Sequence, residues 1–290
     1  MAASPPPTCR RSALPACSGC WKADDRAPDN IDLWHRLRRH TPARIALGRT
    51  GVSLSTARHL EFQSAHALAR MAVHSSLDIA ALREDIDRYF PATLVVQSQA
   101  PDRTTYLHRP DLGRRPTAGA AAQLTADGDG ADVAVVVCDG LSAYSVQHNA
   151  APFLAQLLPR LAAEGLRLAP LVIATQARVA LADPVGAALG ARLTLVLIGE
   201  RPGLTAADSM GLYLTFAPKP SLTDADRNCI SNIRPGGLRY EEAAYRAHFL
   251  VSQSLQRGLS GVGLKDETAA EAAGSLQDRR AYLDGPVMSS

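Results

Sequence analysis

Val133-Ala-Val-Val-Val-Cys138 is a run of six apolar residues without a polar break, closed by Asp139-Gly140. Its β-branched content and its length predict a strand buried on both faces, the kind found inside a parallel sheet. The chain on either side repeats the pattern. Downstream, the sequence predicts a helix from Pro152 to Ala163, a strand at Leu171-Val-Ile173 and a helix near Val185–Leu189, with Asp183 as its N-cap and Pro184 in the favoured first position. Leu193–Ile198 and Gly211–Phe216 read as further strands, and Tyr240–Gln256 as a closing helix. Upstream, Leu94-Val95-Val96 and Tyr106-Leu107 predict short strands on either side of a turn at Pro101-Asp102.

This alternation defines the fold class as α/β, a Rossmann-like, mostly parallel sheet flanked by helices. It occupies residues 93–266 and is preceded by a small helical domain, 30–92. In that domain Leu33, Trp34 and Leu37 are spaced for a first helix, broken at Pro42 and Gly48–Gly51. Ser55–His74 predicts a long second helix with Leu60, Ala67, Leu68 and Met71 on one side. Ser75-Ser76-Leu77-Asp78 has the capping pattern that would start a third, Ile79–Tyr89. Residues 1–29, rich in Pro and Ala, read as an extension, and 267–290 as a loose tail. No internal repeat is present.

Composition narrows the function classes. Apolar residues make up 46% of 290, so the chain can bury a core without metal or disulfide staples. No run approaches the roughly 20 apolar residues of a membrane span. Thirty-one Lys and Arg against 28 Asp and Glu leave a net charge of +3, too weak and too scattered for nucleic acid. The five cysteines are odd in number, and no secretory h-region precedes them, which points to a reducing cytosol. Cys17-Ser-Gly-Cys20 has redox or zinc spacing, but its neighbours are prolines and only Cys9 is near, so it reads as incidental.

Ligands of a parallel sheet sit beyond the carboxyl ends of its strands. That rule selects Asp139-Gly140-Leu141-Ser142, Gly199-Glu200-Arg201-Pro202-Gly203 and the polar segment Asp226–Asn232. No G-x-G-x-x-G follows the first strand, and neither a P-loop nor G-x-S-x-G is present, so nucleotide-binding and serine-hydrolase readings lose their support. Asp139 is either a phosphohydrolase nucleophile in a stand-alone α/β module or a turn former before Gly140. His59 and His66 share a helix face at i, i+7 but lack the close partner that a metal site needs. Neither His108 nor His148 has a D-x-H-x-x-G context. Arg114-Arg115 and Asp111 either pin their turn to the sheet or face an anionic partner.

Four segments stand together in order and spacing: Arg109-Pro-Asp-Leu-Gly-Arg-Arg115, Cys138-Asp-Gly-Leu-Ser-Ala143, Ile198-Gly-Glu-Arg-Pro-Gly-Leu204 and Arg227-Asn-Cys-Ile-Ser-Asn-Ile233. In this the chain resembles the small (light) subunit of ethanolamine ammonia-lyase. Thr41–Arg49 and Gly261–Asp266 resemble the same family, so the likeness runs from about Ile31 to Asp266. The resemblance implies an adenosylcobalamin-dependent lyase that converts ethanolamine to acetaldehyde and ammonia, with the cofactor bound base-on. It implies a large-subunit partner, a TIM barrel holding substrate and radical chemistry, in a hexamer of heterodimers. The setting it implies is cytoplasmic, within a bacterial microcompartment in some members.

Carried over residue by residue, the cobalamin contacts fall on Val179, Glu200 and Cys229, with no catalytic residue on this chain. The bland alternatives are a packing valine, a loop salt bridge from Glu200 to Arg201 and an inert buried thiol. Ala177 stands where the family often has Gly, and Met71, Pro116 and Pro184 also depart from its usual residues. Met1–Cys20 has no apolar helical stripe, which speaks against the packaging helix of some members.

Overall fold

The computed structural model describes residues 37–41, 43–45, 47–48, 51–90, 92–124 and 130–268. The cysteines of the leading segment, the first expected helix up to residue 36 and the tail beyond 268 lie outside these residues. The chain divides into two compact units, Met1–Arg49 and Thr50–Ser290. In the first, the described backbone includes a turn in which His40 N donates to Leu37 O at 3.0 Å.

The second unit is a six-stranded sheet with helices on both faces. In chain order its main elements are α1 (Thr56–His74), α2 (Ile79–Ile86), β1 (Thr93–Gln97), α3 (Arg103–His108), α4 (Ala118–Gln123), β2 (Ala131–Cys138), α5 (Ala143–Ala163), β3 (Leu171–Thr175), α6 (Ala182–Ala188), β4 (Ala191–Gly199), β5 (Met210–Phe216), β6 (Arg227–Ile233) and α7 (Tyr240–Arg257). The strands lie in the order β1-β3-β2-β4-β5-β6. β1, β3, β2 and β4 are parallel; β5 runs antiparallel to β4, and β6 antiparallel to β5.

Alternate residues of the central strands feed two cores, which is why their sequences carry no polar break. Val133, Val135 and Val137 join Leu193, Leu195 and Leu197 under α5, α7 and α2. Ala134, Val136 and Cys138 join Val196 and Ile198 under α4 and α6. Leu82 and Ile86 of α2 are fully buried in the first core, so this helix packs directly on the sheet unit.

Several local expectations change. Ser75 does not open α2: its hydroxyl donates to Ala72 O at 2.9 Å, closing α1, and Asp78 is the cap, accepting from Ala81 N at 3.1 Å. Tyr106-Leu107 is helical rather than extended, because Asp102 caps α3 by accepting from Thr105 N at 2.8 Å. α5 begins at Ala143, nine residues before Pro152, with Ser142 as its cap. Asp183 is not a cap: α6 starts one residue earlier, and the carboxylate, 2% exposed, pairs with both Nη atoms of Arg227 at 2.6 Å. The segment taken as a polar ligand loop, Asp226–Asn232, is mostly edge strand β6. Among the described residues no helix is long and apolar enough to cross a membrane.

Candidate functional site

The carboxyl ends of β2, β3 and β4 meet at one edge of the sheet. Gly140, with φ of +57°, turns the chain out of β2 so tightly that a Cβ there would stand 2.4 Å from Gly199 O. Gly199 is equally confined: its Cβ would stand 2.1 Å from Ser142 O. Leu141 N donates to Gly199 O at 2.8 Å, joining the two loops. Only glycine at both positions allows this backbone approach.

Asp139 closes the next gap. Its carboxylate, 3% exposed, accepts from Gln176 N at 2.8 Å and Ala177 N at 3.0 Å, which fixes the loop after β3. Burial pushes its pKa up, against the pull of those two amides and of Arg103. Gln176 takes a left-handed backbone, φ 51°, and its carbonyl accepts from Ser98 Oγ at 2.6 Å. With both oxygens held by backbone donors, Asp139 is a loop-former, as its turn-forming reading had it.

Tyr106 lies beneath this loop, its hydroxyl donating to Ala177 O at 3.1 Å. Two guanidiniums flank its ring, Arg103 at 4.8 Å and Arg178 at 4.2 Å from the centroid. Arg103 donates to Val73 O and Gly140 O, both at 2.7 Å, so it ties α1 to the turn after β2. Burial pushes the Tyr106 phenol well above its ordinary range, with Arg178 pulling it down.

These loops wall a cleft of about 420 Å³ lined by Tyr106, Leu141, Arg178, Val179, Ile198, Glu200, Arg201 and Tyr213. Val179 and Glu200, expected as contacts from sequence, therefore line one cavity. Glu200 Oε2 accepts from Ser209 Oγ and, at 3.2 Å, from Asn232 N, while Oε1 has no hydrogen-bond partner among the described residues. Arg201 is not its ion-pair partner there. Cys229 is not in the cleft wall: it sits exposed on β6, directly opposite Tyr213, which is. Atoms packed round its sulfur and the Glu200 carboxylate both push the thiol pKa up, so it is a neutral thiol at neutral pH. Tyr106, Arg178 and Tyr213 were not picked out by sequence; only the short spacing of Arg178 from Val179 signalled any of them. No cluster of three or more metal-ligating side chains occurs among the described residues.

The family model for the ethanolamine ammonia-lyase light chain (EutC) matches residues 31–265. The chain belongs to this family. The small subunit from Azotobacter vinelandii is 55% identical over 247 residues, covering 84% of this chain and 92% of the relative. That from Pseudomonas putida is 50% identical over 269 residues, covering 90% and 99%. That from Xanthomonas campestris is 54% identical over 240 residues, covering 81% and 88%. An ethanolamine ammonia-lyase small subunit is part of a lyase and implies a large-subunit partner. The four motifs lie apart in sequence: Arg109–Arg115 meets Arg178 through Gly113, Cys138–Ala143 and Ile198–Leu204 form the joined loops, and Arg227–Ile233 is β6.

Proposed function

We propose that this chain is the small subunit of an adenosylcobalamin-dependent ethanolamine ammonia-lyase, converting ethanolamine to acetaldehyde and ammonia, and that it forms one wall of the cobalamin site. The observation that carries this is the convergence of Val179 and Glu200 on one cleft at the carboxyl edge of the sheet. The residues present suit a corrin rim. Glu200 Oε1 has no partner, so it is placed to accept from a side-chain amide, and the half-buried Val179 gives an apolar contact. Cys229 reaches the site only at its margin, beside Tyr213. About 420 Å³ is far less than a whole cobalamin fills, which suits a cofactor shared with a second polypeptide.

When bound, adenosylcobalamin supplies the homolysis that starts the radical rearrangement. This chain's residues orient the cofactor and exclude water from one side of it; substrate and radical-handling groups belong, on this reading, to a TIM-barrel large subunit in a hexamer of heterodimers. The cofactor is read as base-on, as the family likeness implies and in keeping with the missing D-x-H-x-x-G, and the Rossmann-like region 93–266 as the part that meets it. A cytoplasmic setting, with or without a microcompartment, belongs to the same reading. An apolar hollow of about 660 Å³ beside α1, where Leu60, Leu68 and Met71 are each more than half exposed, suits coverage by a partner. The stand-alone hydrolase reading lacks a free nucleophile, because Asp139 spends both oxygens on the loop.

The test is reconstitution. The purified chain alone is expected to release no acetaldehyde from ethanolamine, and the chain with its large subunit and adenosylcobalamin to turn over. Full activity of the chain alone, or of the large subunit without it, overturns the proposal.

A further inference from the structure

The cleft holds an unmatched cation. Two guanidiniums, Arg103 and Arg178, share the faces of Tyr106, but the cluster has a single carboxylate, Asp139, 3.9 Å from Arg103 and already bonded to two amides. Arg178 has no ion-pair partner among the described residues. Its Nη2 donates to Tyr106 O at 3.2 Å, its Nε is buried with no acceptor, Nη1 has no hydrogen-bond partner among the described residues, and the residue lines the cleft. Glu200 lines the same cleft but is not within ion-pair range, and its Oε2 is taken by Ser209 and Asn232. A guanidinium is costly to desolvate without an acceptor, and stacking on one ring offsets little of that.

The position of Arg178 is nonetheless enforced. Its backbone N donates to Gly113 O at 2.8 Å, and a Cβ on Gly113 would stand 2.9 Å from Arg178 Cγ. The motif containing Arg114-Arg115 thus builds the floor on which Arg178 lies. A side chain so fixed, with donors left over, is organised in advance for an oxygen acceptor in the cleft.

We infer that Arg178 is a cofactor-binding residue whose guanidinium donates to an oxygen acceptor on the periphery of the corrinoid. This rests on the cobalamin reading above. Two groups of that cofactor have the required chemistry, the carbonyl of a corrin side-chain amide and the phosphodiester of the nucleotide loop.

The complex of the chain with its large subunit is titrated with adenosylcobalamin and with adenosylcobinamide, which lacks the phosphodiester, and binding is read by equilibrium dialysis. Arg178→Met, which keeps the stem over Tyr106, is expected to weaken adenosylcobalamin by about 10- to 100-fold, the range for a charge-assisted hydrogen bond. An equal loss for both ligands assigns the acceptor to an amide carbonyl; a loss confined to adenosylcobalamin assigns it to the phosphodiester. The melting temperature of the cofactor-free complex is expected to stay the same. If the Met variant melts lower, Arg178→Lys, which keeps the charge, is titrated instead and is expected to show a smaller loss. Wild-type affinity for adenosylcobalamin in the Met variant, or in Lys where Lys replaces it, overturns the inference. A wild-type complex that binds neither ligand overturns the cobalamin reading itself, and the inference falls with it.

Discussion

The loops that follow β2 and β4 each bring one carboxylate to the same edge of the sheet. Asp139, after β2, is almost fully buried and gives one oxygen to Gln176 N and the other to Ala177 N. Glu200, after β4, is half-buried and lines the cleft, bonds through Oε2 to Ser209 and Asn232, and leaves Oε1 without a hydrogen-bond partner among the described residues, beside Gly211. The first acid is consumed in making the wall; the second keeps a free acceptor on it. Being an acid at the end of a buried strand does not separate the two, whereas their hydrogen-bond partners do.

Removing each acid in turn should give opposite signatures, with the larger effect at Asp139. Asp139→Ala leaves two buried amides without acceptors, at about 1–3 kcal/mol each, so a loss of about 2–6 kcal/mol is expected in urea unfolding of the chain. The loop carrying Arg178 and Val179 would loosen with it. A loss below about 1 kcal/mol would mean that the loop holds its shape without the carboxylate, and the contrast with Glu200 would collapse.

The parts of this arrangement differ in how far sequence alone reaches them. β2 and β4 were legible because burial on both faces leaves unbroken apolar runs. β6 was not, since an edge strand buries only some of its residues, and the inward charge of Arg227, neutralised by Asp183 far away in sequence, breaks even that pattern. The reversal of β5 had a signal: only residues 200–209 separate it from β4, too few for the crossover that a parallel neighbour requires. Thr-Thr-Tyr-Leu looks extended by composition, yet the Asp102 cap wins. Glu200 and Val179 were reached through a family likeness and Asp139 through its strand end. Arg103 and Tyr106 share α3 at i, i+3, but the stacking of Arg178 on the same ring joins that helix to the loop after β3, and no local spacing reports this second contact.

Glu200→Ala is the complementary experiment. Its two partners are a hydroxyl that can rotate and an amide on the exposed Asn232, so the stability loss should stay near 1 kcal/mol. Adenosylcobalamin affinity of the assembled enzyme is expected to fall about 10-fold, the equivalent of one hydrogen bond near 1.4 kcal/mol. A large stability loss with unchanged affinity would make Glu200 a second wall-former.

The smallest effect lies in pH. Burial raises the folded-state pKa of Asp139 above its ordinary value of 3.8, the two amides and Arg103 only partly opposing it. Between 3.8 and that raised value, the folded protein holds a proton that the unfolded chain has released. Stability contributed by this group therefore falls as pH rises through the window. Asp132 has the opposite sign: its pKa is lowered, chiefly by the Arg167 amide, and its contribution is lost as pH falls. Both the wild type and Asp139→Asn keep Asp132, so it cancels in the difference between their unfolding free energies. That difference should be greatest near pH 4 and shrink as pH rises, because only the wild type loses stability on releasing the proton. A difference that widens with pH would mean that the amides outweigh burial, making the loop after β3 an anion-binding cradle in its own right.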